Sequence, residues 1–193
     1  DFSAEVLLDW RQRLARRDGW LVVDEAFADA MPAASMAVHA GLPGLVILRS
    51  LGKFFGLAGA RVGFVLAEAA LRARLQDCLG PWTLTGPSRW AATQALADRS
   101  WQARARLELP EAGQRLAALL DCHGLTAAGG AALFQWVPTN DAESWRDALA
   151  RRGILVRCFS EPSGLRFGLP GTESAWRRLE RALMELCAGR SPG

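Results

Sequence analysis

One lysine stands out in the sequence because it is the only one. Lys53 lies in the stretch LRSLGKFFGLAGARVGF, and since the chain has 23 Lys plus Arg in total, the other 22 are arginines. A primary amine can form an imine with an aldehyde, which a guanidinium does not do. Next to glycine and two phenylalanines, the amine is expected to lie against apolar walls that disfavour its charged form. We therefore predict that Lys53 holds an aldehyde cofactor covalently.

A nucleotide-binding P-loop is the first alternative for a lysine that follows a glycine. That motif requires GxxxxGK followed by Ser or Thr. Here Phe54 follows Lys53, and Ile47 occupies the position of the first glycine. The sequence excludes the P-loop, whereas a chance surface lysine stays open when Lys53 is considered alone.

The residues that flank Lys53 could bind the phosphate of pyridoxal phosphate. Ser50, Gly52 and Arg61 offer a hydroxyl, a backbone N–H and a cation within one short loop. These are the groups that a bound phosphate uses. For Arg61 alone, a surface ion pair is the simpler interpretation.

A carboxylate at the end of an earlier predicted strand could serve the cofactor's ring. Asp24 could keep the pyridine nitrogen protonated, which the ring needs in order to accept electrons. Ala26 and Phe27 lie just beyond Asp24 and could contact the ring. For Asp24 and Glu25 taken alone, a turn at the end of a strand is the simpler interpretation.

The elements that must position these residues are short apolar strands with helices between them. A helix with Ser3 as its N-cap is predicted to end at Gly19, and the strands WLVVDEAF, LVILRS and RVGFVLA follow. Continuous apolar runs are typical of a parallel sheet that is covered on both faces. In open α/β sheets, ligands bind at the carboxyl ends of the strands. Asp24 and Ser50 lie at such ends.

The second half of the chain has a different pattern. We predict helices over 68–79, from Pro87 through Leu107, and over 111–122. The strand AALFQWVP, the helix AESWRDALARRG, the strands ILVRCF and GLRFGLP, and a last helix to Ala188 come next. This order predicts a compact α+β domain. We place the domains at residues 1–107 and 108–193.

Composition excludes several classes of function. The net charge is +3 and the arginines are spread among 20 acids, so the sequence does not favour nucleic-acid binding. No apolar run is long enough for a membrane span. Four cysteines without a CxxC pair and only two histidines argue against a metal site and suit a reducing cytoplasm.

The motifs DEAF, SLGK and GARVGF resemble, in this order, those of fold-type I pyridoxal-phosphate enzymes, the aspartate aminotransferase superfamily. The resemblance implies an α/β fold, with part of a cofactor-binding large domain (a mostly parallel sheet with helices) at 1–107 and a small α+β domain at 108–193. It implies a homodimer, and it implies that Arg166 in GLRFGLP binds the substrate's carboxylate. Arg157 is a candidate second anion contact, with a surface arginine as the equal alternative.

Within that superfamily, GPWTLTGPSRWAATQAL and GILVRCFSEPSGLRFGLP resemble the threonine-phosphate decarboxylases. The resemblance implies decarboxylation of L-threonine O-3-phosphate to (R)-1-amino-2-propanol O-2-phosphate in cobalamin biosynthesis. Two alternatives stay open: an aminotransferase of the histidinol-phosphate type or another of class I/II, and a non-enzymatic structural module. Keto-acid dependence would identify an aminotransferase.

The sequence departs from the family pattern in two respects. Phe27 stands where many of the aminotransferases have a tyrosine that bonds the cofactor's ring oxygen, and the chain has no tyrosine. The resemblance also covers roughly the C-terminal half to two thirds of such an enzyme. The family's glycine-containing phosphate loop, stacking aromatic residue and ring-contacting asparagine are expected to precede this sequence, so the chain alone is not expected to be active.

Overall fold

The computed structural model describes residues 2–189. Its helices are α1 (Ala4–Ala15), α2 (Ala69–Leu79), α3 (Gly86–Ala97), α4 (Arg99–Asp121), α5 (Ala142–Ala150) and α6 (Glu173–Ala188). Its strands are β1 (Leu21–Asp24), β2 (Leu45–Ser50), β3 (Gly63–Ala67), β4 (Gly129–Ala131), β5 (Phe134–Pro138), β6 (Arg157–Ser160) and β7 (Ser163–Gly168). None of the helices in this part of the chain is long and apolar enough to cross a membrane.

The chain divides into two compact units, Asp1–Arg106 and Leu107–Gly193. The outer ends of the predicted domains, residue 1 and residues 190–193, lie outside the described residues. That these units are the large and small domains of the family remains a prediction.

The sheet of the first unit has the order β1–β2–β3. β1 and β2 run parallel and Asp24 pairs with Leu48, whereas β3 runs antiparallel to β2, with Gly63 opposite Ser50. The predicted α/β class is confirmed, but the parallel pairing extends only to β1 and β2. A parallel return needs a crossover, usually a helix, and only a short 3-10 turn at Ala58–Ala60 separates β2 from β3.

Side chains of this sheet are not buried to the same degree in all strands. The first three residues of β2 are buried, but burial alternates along β1 and β3. Val22 is 56% exposed and Val65 is 40% exposed. Coverage on both faces, which the apolar runs predicted for all three strands, is therefore found only at the start of β2.

The first helix begins as predicted. Ser3 Oγ accepts a hydrogen bond from the backbone N–H of Val6 at 3.4 Å, which satisfies one of the free donors of the first turn. The helix ends at Ala15, before the predicted stop at Gly19. Leu7 joins Met36 and the start of β2 in the core of this unit.

The helical region after α2 is divided differently from the prediction. Asp98 interrupts the pattern that began at Pro87, and its Oδ1 accepts hydrogen bonds from Ser100 Oγ and the N–H of Trp101, both at 2.9 Å. α4 then continues through Pro110. The two helices predicted on either side of this proline are one helix.

The second unit contains an antiparallel sheet in the order β4–β5–β7–β6 and the helices α5 and α6. This is the predicted α+β pattern, except that the apolar run over 131–138 spans a hairpin of β4 and β5 instead of a single strand. Large apolar side chains from sheet and helices share one core, to which Leu116, Leu120, Val137, Trp145, Leu149, Leu165, Phe167, Trp176, Leu179 and Leu183 belong.

Candidate active site

The ends of β1 and β2 bring the predicted cofactor residues to one edge of the first sheet. Asp24 is the last residue of β1 and Ser50 is the last residue of β2. The turn that carries Lys53 follows β2 directly, and the N–H of Gly56 donates to the carbonyl oxygen of Lys53 at 3.0 Å. This edge of the sheet is therefore the candidate functional site.

Asp24 is held by its own turn. Its Oδ1 accepts a hydrogen bond from the backbone N–H of Ala26 at 2.9 Å, and the carboxylate is exposed. Such a turn restrains the side chain. The carboxylate can therefore accept a hydrogen bond from a ligand at the strand edge.

Lys53 differs from its predicted surroundings. Its side chain is exposed, whereas Phe54 and Phe55 are buried and pack against Trp101 with ring centroids 5.2 and 5.8 Å apart. The phenylalanines turn toward the core, so the expectation that they wall in the lysine is wrong. The ammonium lies 5.5 Å from the ring centroid of Phe27, within the range of a cation–π contact.

A small cavity lies beside the lysine turn. Its volume is about 160 Å³, and it is lined by Ser50, Gly52, Leu57, Ala58, Arg61, Val62 and Gly63. Ser50 Oγ accepts a hydrogen bond from the N–H of Gly52 at 3.1 Å. A Cβ at Gly52 would lie 3.2 Å from Cα of Ala58, so glycine permits this close approach. The structure thus brings the three predicted phosphate-binding residues together.

Arg61 supplies the cation of this cavity from an unusual backbone conformation. Its φ is 54°, in the left-handed region, which costs a residue other than glycine roughly 1 kcal/mol or more. Its Nη1 donates to the carbonyl oxygen of Ala58 at 3.0 Å. A hydroxyl and a guanidinium in one small cavity fit a phosphate group.

A buried ion cluster lies next to the same strand ends. We call it the Arg49 cluster, and it consists of Glu25, Asp29, Ser35 and Arg49. Arg49 Nη1 donates to Glu25 Oε2 at 2.9 Å and to Ser35 Oγ at 3.0 Å, and Arg49 Nη2 pairs with Asp29 Oδ1. Ser35 Oγ donates to Glu25 Oε2, and the N–H of Met36 donates to Glu25 Oε1, both at 2.6 Å.

Burial and charge act in opposite directions on Arg49. Glu25 and Asp29 are 6% and 7% exposed. Burial alone lowers the pKa of Arg49, but the hydrogen bonds and charges of Asp29 and Glu25 outweigh it and raise that pKa above its ordinary value. One sign of this cluster, the polar residues at the strand ends, is visible in the sequence, but their pairing could not be read from it.

Two predicted anion contacts lie in the second unit. Arg166 in β7 is opposite Arg157 in β6 and opposite Trp136 in β5. The guanidinium of Arg166 lies 5.0 Å from the ring of Phe134, and that of Arg157 lies 5.1 Å from the ring of Phe159. In the described part of the chain neither arginine has a carboxylate partner. Both are therefore available for an anion.

The cysteines do not add to the site. All four are free thiols, and no group of three or more His, Cys, Asp or Glu within residues 2–189 could hold a metal ion. The candidate chemistry thus rests on one amine, carboxylates, hydroxyls and arginines.

Comparisons with known proteins bear on what these residues do. The family model for aminotransferases of class I and II matches residues 1–183. The threonine-phosphate decarboxylase of Pseudomonas aeruginosa is 52% identical over 183 residues, which are 95% of this chain and 55% of that protein. The threonine-phosphate decarboxylase of a Sinorhizobium species is 40% identical over 177 residues, covering 87% of this chain and 50% of that protein.

More distant relatives share the fold. The histidinol-phosphate aminotransferase of Syntrophotalea carbinolica is 32% identical over 177 residues, covering 89% of this chain and 50% of that protein. The crystal structure of the histidinol-phosphate aminotransferase from Clostridium acetobutylicum superposes with a TM-score of 0.88 at 20% identity, over 98% of this chain and 60% of that one. The chain spans about half the length of the curated relatives it matches.

Proposed function

Because the chain belongs to the aminotransferase class I and II family, we propose that the whole protein is a pyridoxal-phosphate-dependent threonine-phosphate decarboxylase. It removes carbon dioxide from L-threonine O-3-phosphate and releases (R)-1-amino-2-propanol O-2-phosphate, a step of cobalamin biosynthesis. The observation that carries the proposal is the 52% identity to the Pseudomonas aeruginosa decarboxylase. The proposal includes a homodimer in the cytoplasm.

Lys53 has two tasks in this reaction. When bound, pyridoxal phosphate supplies an aldehyde for imine formation and a ring that accepts the electron pair left when the Cα–carboxylate bond breaks. Lys53 Nζ would hold the cofactor covalently. Once the substrate's amine has taken its place, Nζ would take up the proton that the substrate's ammonium has lost and would deliver it to Cα after carbon dioxide has left. The carboxylate is thus replaced by hydrogen and the product keeps its amine.

Asp24 and the cavity beside the lysine turn orient the cofactor. The Asp24 carboxylate, restrained by the N–H of Ala26 at 2.9 Å, accepts a hydrogen bond from the protonated pyridine nitrogen and so keeps the ring an electron acceptor. Ser50, Gly52 and Arg61 bind the phosphate. Ala26 and Phe27, whose ring lies near the lysine ammonium, would contact the cofactor ring.

The two arginines of the second unit bind the anionic groups of the substrate. Arg166 holds the α-carboxylate through its planar guanidinium, which matches a carboxylate in a bidentate manner. Arg157 would be a second anion contact of the substrate.

An aminotransferase of the histidinol-phosphate type is the second candidate. The observation that favours it is the 32% identity to the aminotransferase of Syntrophotalea carbinolica. An aminotransferase leaves the substrate's amine on the cofactor and needs a keto acid to turn over. The two candidates are therefore distinguished by carbon dioxide release and by keto-acid dependence.

The cofactor site is tested by fixing the imine chemically. The whole protein is incubated with pyridoxal phosphate, reduced with borohydride and digested, and the peptides are analysed by mass spectrometry. We expect the adduct on Lys53 and none on this peptide in Lys53→Arg, which keeps the charge but not the primary amine. An unmodified Lys53 in the whole protein would leave the non-enzymatic, structural role as the better explanation.

The reaction is tested with threonine phosphate in the absence of any keto acid. Release of carbon dioxide together with a phosphorylated amine supports the decarboxylase. If the Lys53 adduct forms but turnover requires a keto acid, the aminotransferase is the correct assignment. Gel filtration or mass photometry of the same preparation tests the homodimer.

A further inference from the structure

The Arg49 cluster is buried beside the segment that carries Asp24 and the segment that carries Lys53. We propose that this cluster positions the segments that carry Asp24 and Lys53, so that Arg49, Glu25 and Asp29 are positioning residues for the cofactor site. The inference rests on the proposed function, because that function gives Asp24 and Lys53 a common ligand. None of the cluster's residues needs to touch the cofactor itself.

The cluster lies on the side of the sheet opposite the exposed carboxylate of Asp24. Asp24 pairs with Leu48, and consecutive residues of a strand face opposite ways, so Arg49, the next residue of β2, faces the other side. Glu25, directly after β1, is buried, whereas Asp24 is exposed. The N–H of Glu25 still donates to the carbonyl oxygen of Leu48 at 2.8 Å, as the last bond between these two strands. Beyond that bond, the chain after β1 turns away from β2.

Arg49 joins the two segments beyond the end of the strand ladder. One nitrogen of its guanidinium bonds Glu25, next to Asp24, and the other bonds Asp29 at the end of the same turn. Arg49 itself is the neighbour of Ser50, which lines the phosphate-sized cavity. Charge-assisted hydrogen bonds to a planar guanidinium fix distance and direction together. The Arg49 side chain thus adds a link between the Asp24 turn and the Lys53 turn to the backbone ladder of β1 and β2.

A second arginine extends the connection toward Lys53. Arg106 Nε donates to the carbonyl oxygen of Asp29 at 2.9 Å, and its guanidinium lies 5.3 Å from the ring centroid of Phe54. Phe54 is the residue after Lys53 and is 5% exposed. One continuous set of contacts therefore runs from the neighbour of Asp24 to the neighbour of Lys53.

Stability alone explains this arrangement poorly. Burying charges requires their desolvation, and well-packed apolar residues of similar volume are often as stable or more stable. Both carboxylate oxygens of Glu25 are bonded, since Oε1 accepts from Met36 and Oε2 accepts from Ser35 and Arg49. Such a network fixes one geometry, which a cofactor site needs.

The test replaces Arg49 by lysine in the whole protein. Lysine keeps the charge but cannot bridge two carboxylates with a planar fork. The matched control is Ile47→Val, because Ile47 lies on the same strand, is 0% exposed and loses only a methyl group. Glu25→Gln, which keeps the shape and removes the charge, is the second variant if the lysine protein does not fold.

Hydrogen–deuterium exchange without cofactor measures the positioning directly. We expect peptides covering 24–28 and 50–56 to exchange about tenfold faster in Arg49→Lys, because the turns that hold Asp24 and Lys53 open more often. Peptides of the second unit serve as an internal reference, and Ile47→Val should leave both turns at their wild-type rates.

Titration with pyridoxal phosphate measures the consequence for the site. We expect the Kd of Arg49→Lys to rise about tenfold, with the Lys53 adduct restored at saturating cofactor. If the variant unfolds at a lower temperature, as the control does, while both turns and the Kd stay unchanged, the cluster is only structural and the proposal is wrong. If the wild type forms no Lys53 adduct, the proposed function fails, and the exchange rates alone decide whether the cluster positions the turns.

Discussion

The packing of Gly164 against Trp136 sets a strong limit on one position of the second sheet. A Cβ added to Gly164 would lie 2.5 Å from two ring carbons of Trp136 and 2.7 Å from the carbonyl oxygen of Val137. Ordinary contacts between carbon atoms are about 3.5–4.0 Å. Gly164→Ala must therefore displace both the ring and the neighbouring strand. We expect it to lower the free energy of unfolding by about 2–3 kcal/mol, the upper part of the usual range for overpacking.

Urea denaturation of the whole protein, followed by circular dichroism, measures this loss. The matched control is Gly168→Ala on the same strand, where an added Cβ meets nothing within 4 Å. That change should be neutral or stabilise by up to about 1 kcal/mol, because alanine restricts the unfolded chain more than glycine does. The difference between the changes in unfolding free energy of Gly164→Ala and Gly168→Ala isolates the effect of the contact at Gly164.

A double-mutant cycle with Trp136→Leu shows which atom obstructs the methyl group. Trp136→Leu removes the ring whose carbons lie nearest to the added methyl of Gly164→Ala, so the cost of that methyl should fall by about 1 kcal/mol or more. A cost below about 0.5 kcal/mol in the wild-type background would refute the reasoning. Full additivity would also refute it, since the ring would then not be the obstacle.

Two further predictions concern the cavity beside the lysine turn and the ion pair of Arg115 and Glu173. The free energy of unfolding of Arg61→Gly should be at least equal to that of Arg61→Ala and up to about 1 kcal/mol higher, because a φ of 54° strains every residue but glycine. In titrations, both variants should bind pyridoxal phosphate more weakly than the wild type. Arg115 holds Glu173 with bonds of 2.8 and 2.7 Å and lowers the pKa of Glu173 below its ordinary value. The ion pair therefore stabilises the fold fully above the ordinary pKa of Glu173, and this stabilisation is lost as the pH falls through the lowered pKa. The urea midpoints of wild type and Glu173→Gln should consequently differ at neutral pH and converge in acid.

Local patterns in the sequence were sufficient to predict most of the elements. Ser3 caps the first helix because its hydroxyl can accept a hydrogen bond from a free backbone N–H of the first turn. The strand β2 has the predicted bounds, Leu45–Ser50. The strand ends also brought Asp24 and Ser50 to one edge. The cap and the strand bounds depend on residues within a few positions of one another, whereas the shared edge follows from the general rule that ligands bind at the carboxyl ends of parallel strands.

The features that the sequence did not predict depend on longer distances or on competing local terms. The direction of β3 follows from the lack of a crossover helix, which apolar content alone does not reveal. Pro110 removes a backbone hydrogen bond, normally a cost of about 3 kcal/mol inside a helix, yet α4 runs through it. Good helix formers such as Ala, Leu, Glu and Arg occupy most positions on both sides, and their summed preference opposes that cost.

Lys53 and Arg49 differ in how easily the sequence alone distinguishes them from other residues. Lys53 could be singled out because its chemistry differs from that of every arginine in the chain, and it is exposed. Arg49 has the same chemistry as the arginines that lie on solvated helix faces, and only its partners distinguish it. Those partners, Glu25 and Asp29, are 24 and 20 positions away in sequence, a separation at which charge patterns have no fixed geometry. Lys53 could therefore be singled out by its residue type, whereas the bonds of Arg49 to Glu25 and Asp29 are visible only in the folded structure.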